Sequence, residues 1–315
     1  MDLHSVDKRA IRIAVLYGGW SAEREVSLNS GQACAGALAR GGFEHVELID
    51  VTPDIGRVLA DMRPDVAFNA LHGKWGEDGH IQAILEVLRI PYTHSGVLSS
   101  ALAMHKEKAK TVFREAGLPV AESKLVTLER LMESSPIPMP YVVKPVAEGS
   151  SVGVHIVQSE ANAPLDISLS DHEAFGKELM VERFVPGREL TCAVMGNVAL
   201  GVTEIVSTND FYNYESKYAP GGSEHILPAD VPQDVYRKIQ QFSLTAHQAL
   251  GCKGVTRSDF RYDDTPGGEG EIIILETNTQ PGMTGTSLVP EIAQHAGHSF
   301  EELAEWIVRD ASCDR

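Results

Sequence analysis

The chain has 315 residues, 43% of them apolar and 23% charged, which predicts a folded, globular protein of two or three domains with ample core-forming content. A formal net charge of −17, with no dense Lys/Arg cluster, excludes a nucleic-acid or anionic-membrane partner drawn in by long-range attraction, so any anionic ligand must be held by local basic groups. No apolar run is long enough to cross a bilayer, no secretory pattern is present, and the four cysteines, Cys34, Cys192, Cys252 and Cys313, lack metal-ligand spacing; the expectation is a reduced, cytoplasmic protein.

Residues 11–17 read as a buried strand that runs into Gly18-Gly19 and then a helix over about 27–40, the opening of an α/β domain. Residues 45–51, 65–69 and 91–94 read as further strands, and 78–89 as a helix with Ile81, Ile84, Leu85 and Leu88 on one stripe, together predicting a parallel sheet flanked by helices. The loop Leu71-His72-Gly73-Lys74-Trp75-Gly76 follows a strand, where open α/β sheets place ligands. His72 is thus a ligand-contact or proton-transfer candidate, weighed against a histidine bonded to nearby backbone.

A helix is predicted from 98 to 115, ended by Gly117-Leu-Pro119; it carries Lys106, Lys108 and Lys110, for which a solvated face is the default. Tyr141-Val-Val-Lys144-Pro145 then reads as a strand leading to the loop Glu148-Gly149-Ser150-Ser151-Val152-Gly153 and a strand at 154–157. Small residues let backbone amides cradle phosphate oxygens, with the lysine supplying charge. Residues 179–185 and the strand after Pro186-Gly carry Glu182 and Glu189, carboxylates able to bond a ribose or an adenine amino group. A long aromatic and polar loop, 210–222, holds Lys217 and Tyr218 and has the character of a binding loop. A helix is predicted over 233–250, and two more near 288–295 and 300–308.

Residues 257–262 and 272–278 read as two strands joined by a polar turn, a hairpin candidate. Side chains alternate along a strand, so Arg257 shares a face with Asp259, and Glu276 shares one with Asn278. If the strands pair, the four converge. Two carboxylates and an amide oxygen suit Mg²⁺ held together with phosphate oxygens. The following loop, Pro281-Gly282-Met283-Thr284, exposes backbone N–H groups.

Taken together, Gly18-Gly-Trp-Ser-Ala-Glu-Arg-Glu-Val-Ser27, Leu71-His-Gly73, Glu148-Gly-Ser-Ser-Val-Gly153, Tyr214-Glu-Ser-Lys-Tyr218 and Glu276-Thr-Asn-Thr-Gln-Pro-Gly-Met-Thr284 resemble the D-alanine–D-alanine ligases of the ATP-grasp superfamily, nearly end to end. The resemblance implies an α/β ATP-grasp fold of three domains: an N-terminal parallel-sheet domain over 1–96, a central domain with the glycine-rich loop over 97–187, and a C-terminal domain over 188–315. ATP is expected between the last two. It implies ligation of two D-alanines through a D-alanyl phosphate, in a homodimer with two Mg²⁺ or Mn²⁺ ions.

By the same resemblance, Asp259, Glu276 and Asn278 hold the metal, Lys106 and Lys144 the phosphates, and the loop with Ser151 covers ATP. Arg257 and the Gly282 N–H form an oxyanion hole. Glu23 takes the ammonium of the first D-alanine and Ser287 the carboxylate of the second, while Ser150, Tyr218 and Lys217 close over the site. The base for the second amine is left open between Tyr218 relayed through Ser150, His72, and a phosphate oxygen. Trp20 and Gln280 depart from the family pattern, which favours small residues there. Two other readings are weighed: an ATP-grasp ligase of different amino acids, and a catalytically silent nucleotide-binding protein.

Overall fold

The computed structural model describes residues 3–149, 153–158, 178–207 and 222–315. Its first sheet is parallel, with β1 (Arg12–Tyr17) between β2 (His45–Asp50) and β3 (Val66–Asn69). Ile13 to Leu16 of β1 are buried whichever face they take, because α1 (Arg24–Arg40) covers one side and α2 (Ile55–Met62) and α3 (His80–Leu88) the other. The expected strand at 91–94 is absent as a strand. Tyr92 makes only isolated bridges, to Ala67 and Ser312, since Pro91 has no N–H to donate and His94 turns left-handed at φ 66°.

The predicted helix over 98–115 is two, α4 (Val97–Met104) and α5 (Lys106–Glu115), broken at His105. His105 is extended, and its ring nitrogen accepts the Lys108 N–H at 3.4 Å, capping α5.

The second sheet is antiparallel in the order β4-β7-β5-β6, from β4 (Ser123–Val126), β5 (Tyr141–Pro145), β6 (His155–Val157) and β7 (Leu179–Arg183). It keeps a small core of its own with Leu131 of α6 (Leu128–Glu133). The third, also antiparallel, runs β10-β9-β8-β11-β12, from β8 (Arg188–Met195), β9 (Val198–Ser207), β10 (Ser223–Ile226), β11 (Val255–Tyr262) and β12 (Ile272–Asn278). On one of its faces Phe260, Leu190 and Ile274 meet α7 (Gln233–Ala249) and Phe113 of α5. The chain then returns to the first sheet. Val289 and Ile292 of α8 (Leu288–His295), with Leu303 and Ile307 of α9 (Phe300–Arg309), share one core with Ile13, Val15 and Phe68.

Candidate active site

The predicted hairpin forms. Asp259 lies opposite Glu276 and Arg257 opposite Asn278, so period-two alternation puts all four on one face. On the other neighbour of β11, Thr191 faces Asp259 and Glu189 faces Arg261. A bulge in β12 at Leu275, between the pairs Asp259–Glu276 and Phe260–Ile274, lets the consecutive residues Leu275 and Glu276 both line one cleft, which strict alternation forbids.

That cleft, with about 870 Å³ of open space, lies between the second and third sheets. Its apolar wall is built from Val142, Val154, Phe184, Val185 and Leu275; its polar groups include Lys106, Lys144, Glu182, Glu189, Asp259 and Glu276. An apolar wall with a few convergent charges is the usual form of a small-molecule or cofactor site.

Glu182 anchors one end. Its Oε1 accepts Lys144 Nζ at 2.7 Å and its Oε2 accepts Lys110 Nζ. Burial by itself pushes the Glu182 carboxyl up, but Lys144 and Lys110 outweigh it and hold the group below the usual carboxylate range. Lys110 is wholly buried, and burial, with Lys144 adding to it against Glu182, lowers its ammonium pKa. Lys106, at the first turn of α5, donates to Glu148 O at 2.7 Å and lies 3.5 Å from Glu276 Oε2. Burial raises the Glu148 carboxyl, with Lys74 and Lys106 opposing.

Asp259 is held by several partners at once. Arg257 engages both its oxygens, at 2.8 and 2.7 Å, Thr191 donates at 2.6 Å, and Asn278 donates at 3.1 Å. Among the described residues no group of three or more His, Cys, Asp or Glu gathers as a metal cage. Two opposed carboxylates plus an amide nevertheless supply only oxygen ligands, the donor set that fits a hard divalent ion sharing its shell with phosphate.

Glu23 is buried at the start of α1. Gly73 and Gly149 close on its carboxylate, since a methyl group on either would lie 2.9 or 2.7 Å from Glu23 Oε1. Gly73 is further held to glycine by its φ of 70°. Ser287 Oγ accepts the Thr284 N–H at 2.9 Å and lies beside Gly282. His72 stands under this end of the site, with ring nitrogens 3.1 Å from Glu77 Oε1 and 2.9 Å from Ser30 Oγ. Ser150, Ser151, Lys217 and Tyr218 lie outside the described residues. Of the two departures noted in sequence, Trp20 is half exposed and packs on Trp75 with ring centroids 5.7 Å apart. Gln280 is buried and donates to Asn69 O at 2.6 Å.

The family model described as D-ala D-ala ligase C-terminus matches residues 112–309, and that described as D-ala D-ala ligase N-terminus matches 56–95. The chain belongs to the D-alanine–D-alanine ligase family. It is 60% identical over 304 residues to the D-alanine–D-alanine ligase of Methylobacterium radiotolerans, covering 96% of this chain and 99% of that one. It is 58% identical over 311 residues to the ligase of Parvibaculum lavamentivorans, covering 98% and 99%. Among solved structures, the Bacillus anthracis D-alanine–D-alanine ligase complexed with ATP aligns with a TM-score of 0.79 at 28% identity, covering 96% and 97% of the two chains. The VanG D-Ala:D-Ser ligase of Enterococcus faecalis aligns at 0.76 and 29%, covering 95% and 98%. The fold is thus the α/β ATP-grasp fold of this ligase family, and the chain is a ligase of that family.

Sequence reading missed Lys110, taken for a solvated lysine, together with Thr191 and Arg261. A signal for Lys110 was present. Lys106 and Lys110 fall on the same stripe of α5 as Ala109 and Phe113, all four buried, whereas Lys108 does not.

Proposed function

We propose that this ligase joins two D-alanines into D-alanyl-D-alanine for peptidoglycan precursor synthesis, as a cytoplasmic homodimer with residues 1–96, 97–187 and 188–315 as its three domains. The carboxylate of the first D-alanine attacks the γ-phosphate of ATP, giving D-alanyl phosphate and ADP. The amine of the second then attacks the acyl carbon, and the tetrahedral intermediate collapses to dipeptide and phosphate. The observation that carries this reading is the convergence of Lys106, Lys144, Asp259 and Glu276 on one apolar cleft in a chain 60% identical to a D-alanine–D-alanine ligase.

The first step brings two anions together, and lysines at the cleft offset that repulsion. Lys144 can turn from Glu182 to a phosphate without stranding a buried carboxylate, because Lys110 stays on Glu182. Glu182 and Glu189 then serve adenine and ribose, under the loop that holds Ser151. Asp259, Glu276 and Asn278 would hold Mg²⁺ or Mn²⁺, two ions in this reading, which when bound neutralise phosphate charge. Glu23 takes the first ammonium, Ser287 the second carboxylate, and Ser150, Tyr218 and Lys217 close the site. Arg257 and the Gly282 N–H receive the oxyanion, donors aimed where charge develops.

The test is phosphate release with Mg·ATP and D-alanine, run beside L-alanine, D-serine and D-lactate, with the product identified by mass. D-alanyl-D-alanine from D-alanine supports the reading; a product lacking D-alanine overturns it. Arg257→Ala is expected to lower kcat by about 10²- to 10³-fold with ATP affinity little changed, and near-normal turnover would remove Arg257 from the oxyanion hole.

A further inference from the structure

Helix α1 holds Met283, the residue that follows Gly282, at both its N–H and its carbonyl. Ser30 and Cys34, one turn apart and fully buried, face Met283: its N–H reaches Ser30 Oγ at 3.4 Å, and Cys34 Sγ lies 3.8 Å from its carbonyl oxygen, as a donor. On the other side of Gly282, the Gln280 amide donates to Asn69 O at 2.6 Å. Gly282 is therefore bracketed by two anchors, both in the N-terminal sheet region.

The hydroxyl of Ser30 has a defined direction. Glu77, as a carboxylate, only accepts, so its 3.1 Å contact with His72 Nδ1 places the ring proton on Nδ1. Nε2 then offers a lone pair, to which Ser30 Oγ donates at 2.9 Å. The oxygen of Ser30 is left to accept from Met283 N–H. One chain results: Met283 N–H to Ser30, Ser30 O–H to His72, His72 N–H to Glu77. The backbone of His72 is linked to Glu23 as well, since its carbonyl accepts from Ser21 Oγ at 2.7 Å and Ser21 Oγ accepts the Glu23 N–H at 3.2 Å.

We propose that Ser30 is a positioning residue for ligation, holding the Met283 peptide, and through it the Gly282 N–H, at the oxyanion, and that His72 orients Ser30 rather than removing the proton from the second amine. This rests on the ligase reading above. Both ring nitrogens of His72 are committed within the protein, and the residue is 4% exposed, so neither nitrogen faces a substrate amine.

The experiment compares the full-length wild type with Ser30→Ala, Ser30→Thr, His72→Gln and the double variant Ser30→Ala/His72→Gln. It measures kcat, KM for ATP and for D-alanine across pH, and the thermal transition of each. Displacing a preorganised donor by a fraction of an ångström predicts that Ser30→Ala lowers kcat about tenfold to a hundredfold with KM for ATP within about twofold. Ser30→Thr, which keeps the hydroxyl, restores most of it. The double variant is no slower than the worse single one, and the pH profile keeps its shape in all. A folded Ser30→Ala enzyme with kcat within about twofold of wild type overturns the proposal, given that hydrogen bonds acting as one unit are not additive. So does loss of the acidic limb of the pH profile in His72→Gln alone, which would make His72 the proton acceptor. Should Ser30→Ala fail to fold, Glu77→Leu, which removes the acceptor for His72 Nδ1–H, reports on the same chain: a fall in kcat supports the proposal and an unchanged kcat overturns it. A wild type that forms no dipeptide overturns the ligase reading itself, and the proposal with it. With a wild type that forms it, the kcat of the variants decides the role of Ser30 alone.

Discussion

Lys110 shows how one buried charge organises a ligand site. An unpaired buried ammonium is costly, and among the described residues Lys110 avoids that through Glu182. Glu182 in turn stays ionised because two lysines share it. Its folded pKa is depressed, so the stabilisation it contributes is full above the ordinary glutamate value of 4.5 and is lost as pH falls through the lower folded value. Lys110→Met is expected to destabilise the fold by about 3 kcal/mol, seen in urea unfolding, and to raise KM for ATP severalfold, because Lys144 is then needed by Glu182. An unchanged KM would show that Lys144 is not shared between the two tasks. In sequence the residue is misread because lysine is rarely buried; its place on the stripe with Phe113 is the better guide.

The fit of α1 on β1 sets where Glu23, Ser30 and Cys34 sit. Gly31 makes that fit possible, since a Cβ there would lie 2.4 Å from the Cβ of Tyr17, an atom close to the backbone that cannot swing away. Gly31→Ala is expected to cost about 1–3 kcal/mol, read as a lowered thermal transition, and to lower kcat more than KM for ATP, because α1 also holds the Met283 peptide. The hairpin of β11 and β12 was legible because period two dictates which side chains share a face. Its bulge was not, since an extra residue leaves no mark in a run of Ile272-Ile-Ile-Leu. Nor was the break at His105: apolar spacing continues from α4 into α5, and only a capping histidine marks the boundary.

At the scale of the whole molecule, the C-terminal helices close over the N-terminal sheet, and His94 sits at that junction. It packs edge-on against Phe68, and Gly254 lies against its backbone. Burial, with Arg315 adding to it, lowers the His94 pKa to about 3, and burial, aided by Lys253, lowers that of His247 to about 4. Both folded values lie below the ordinary 6.5, so the unfolded chain takes up protons first and stability falls as pH drops below that value. The slope reaches up to about 1.4 kcal/mol per pH unit for each histidine. Urea midpoints measured between pH 7.5 and pH 5 on a scale of about half a unit should show this decline, and His94→Asn, a residue that accepts a left-handed backbone, should flatten it while lowering the starting value. An equal slope in the variant would place the titration elsewhere.

The sequence by itself determined the local order of strands, glycine loops and helices, the pairing face of Arg257, Asp259, Glu276 and Asn278, and, through its motifs, the ligase family, because these depend on residue type at short spacing. Only the tertiary structure decided that Lys110 belongs to the cleft, that Tyr92 bridges Ala67 and Ser312, and that Ser30 meets Met283 across 253 residues of chain. Contacts of that kind depend on which buried faces come together, and no pattern within either segment encodes its distant partner.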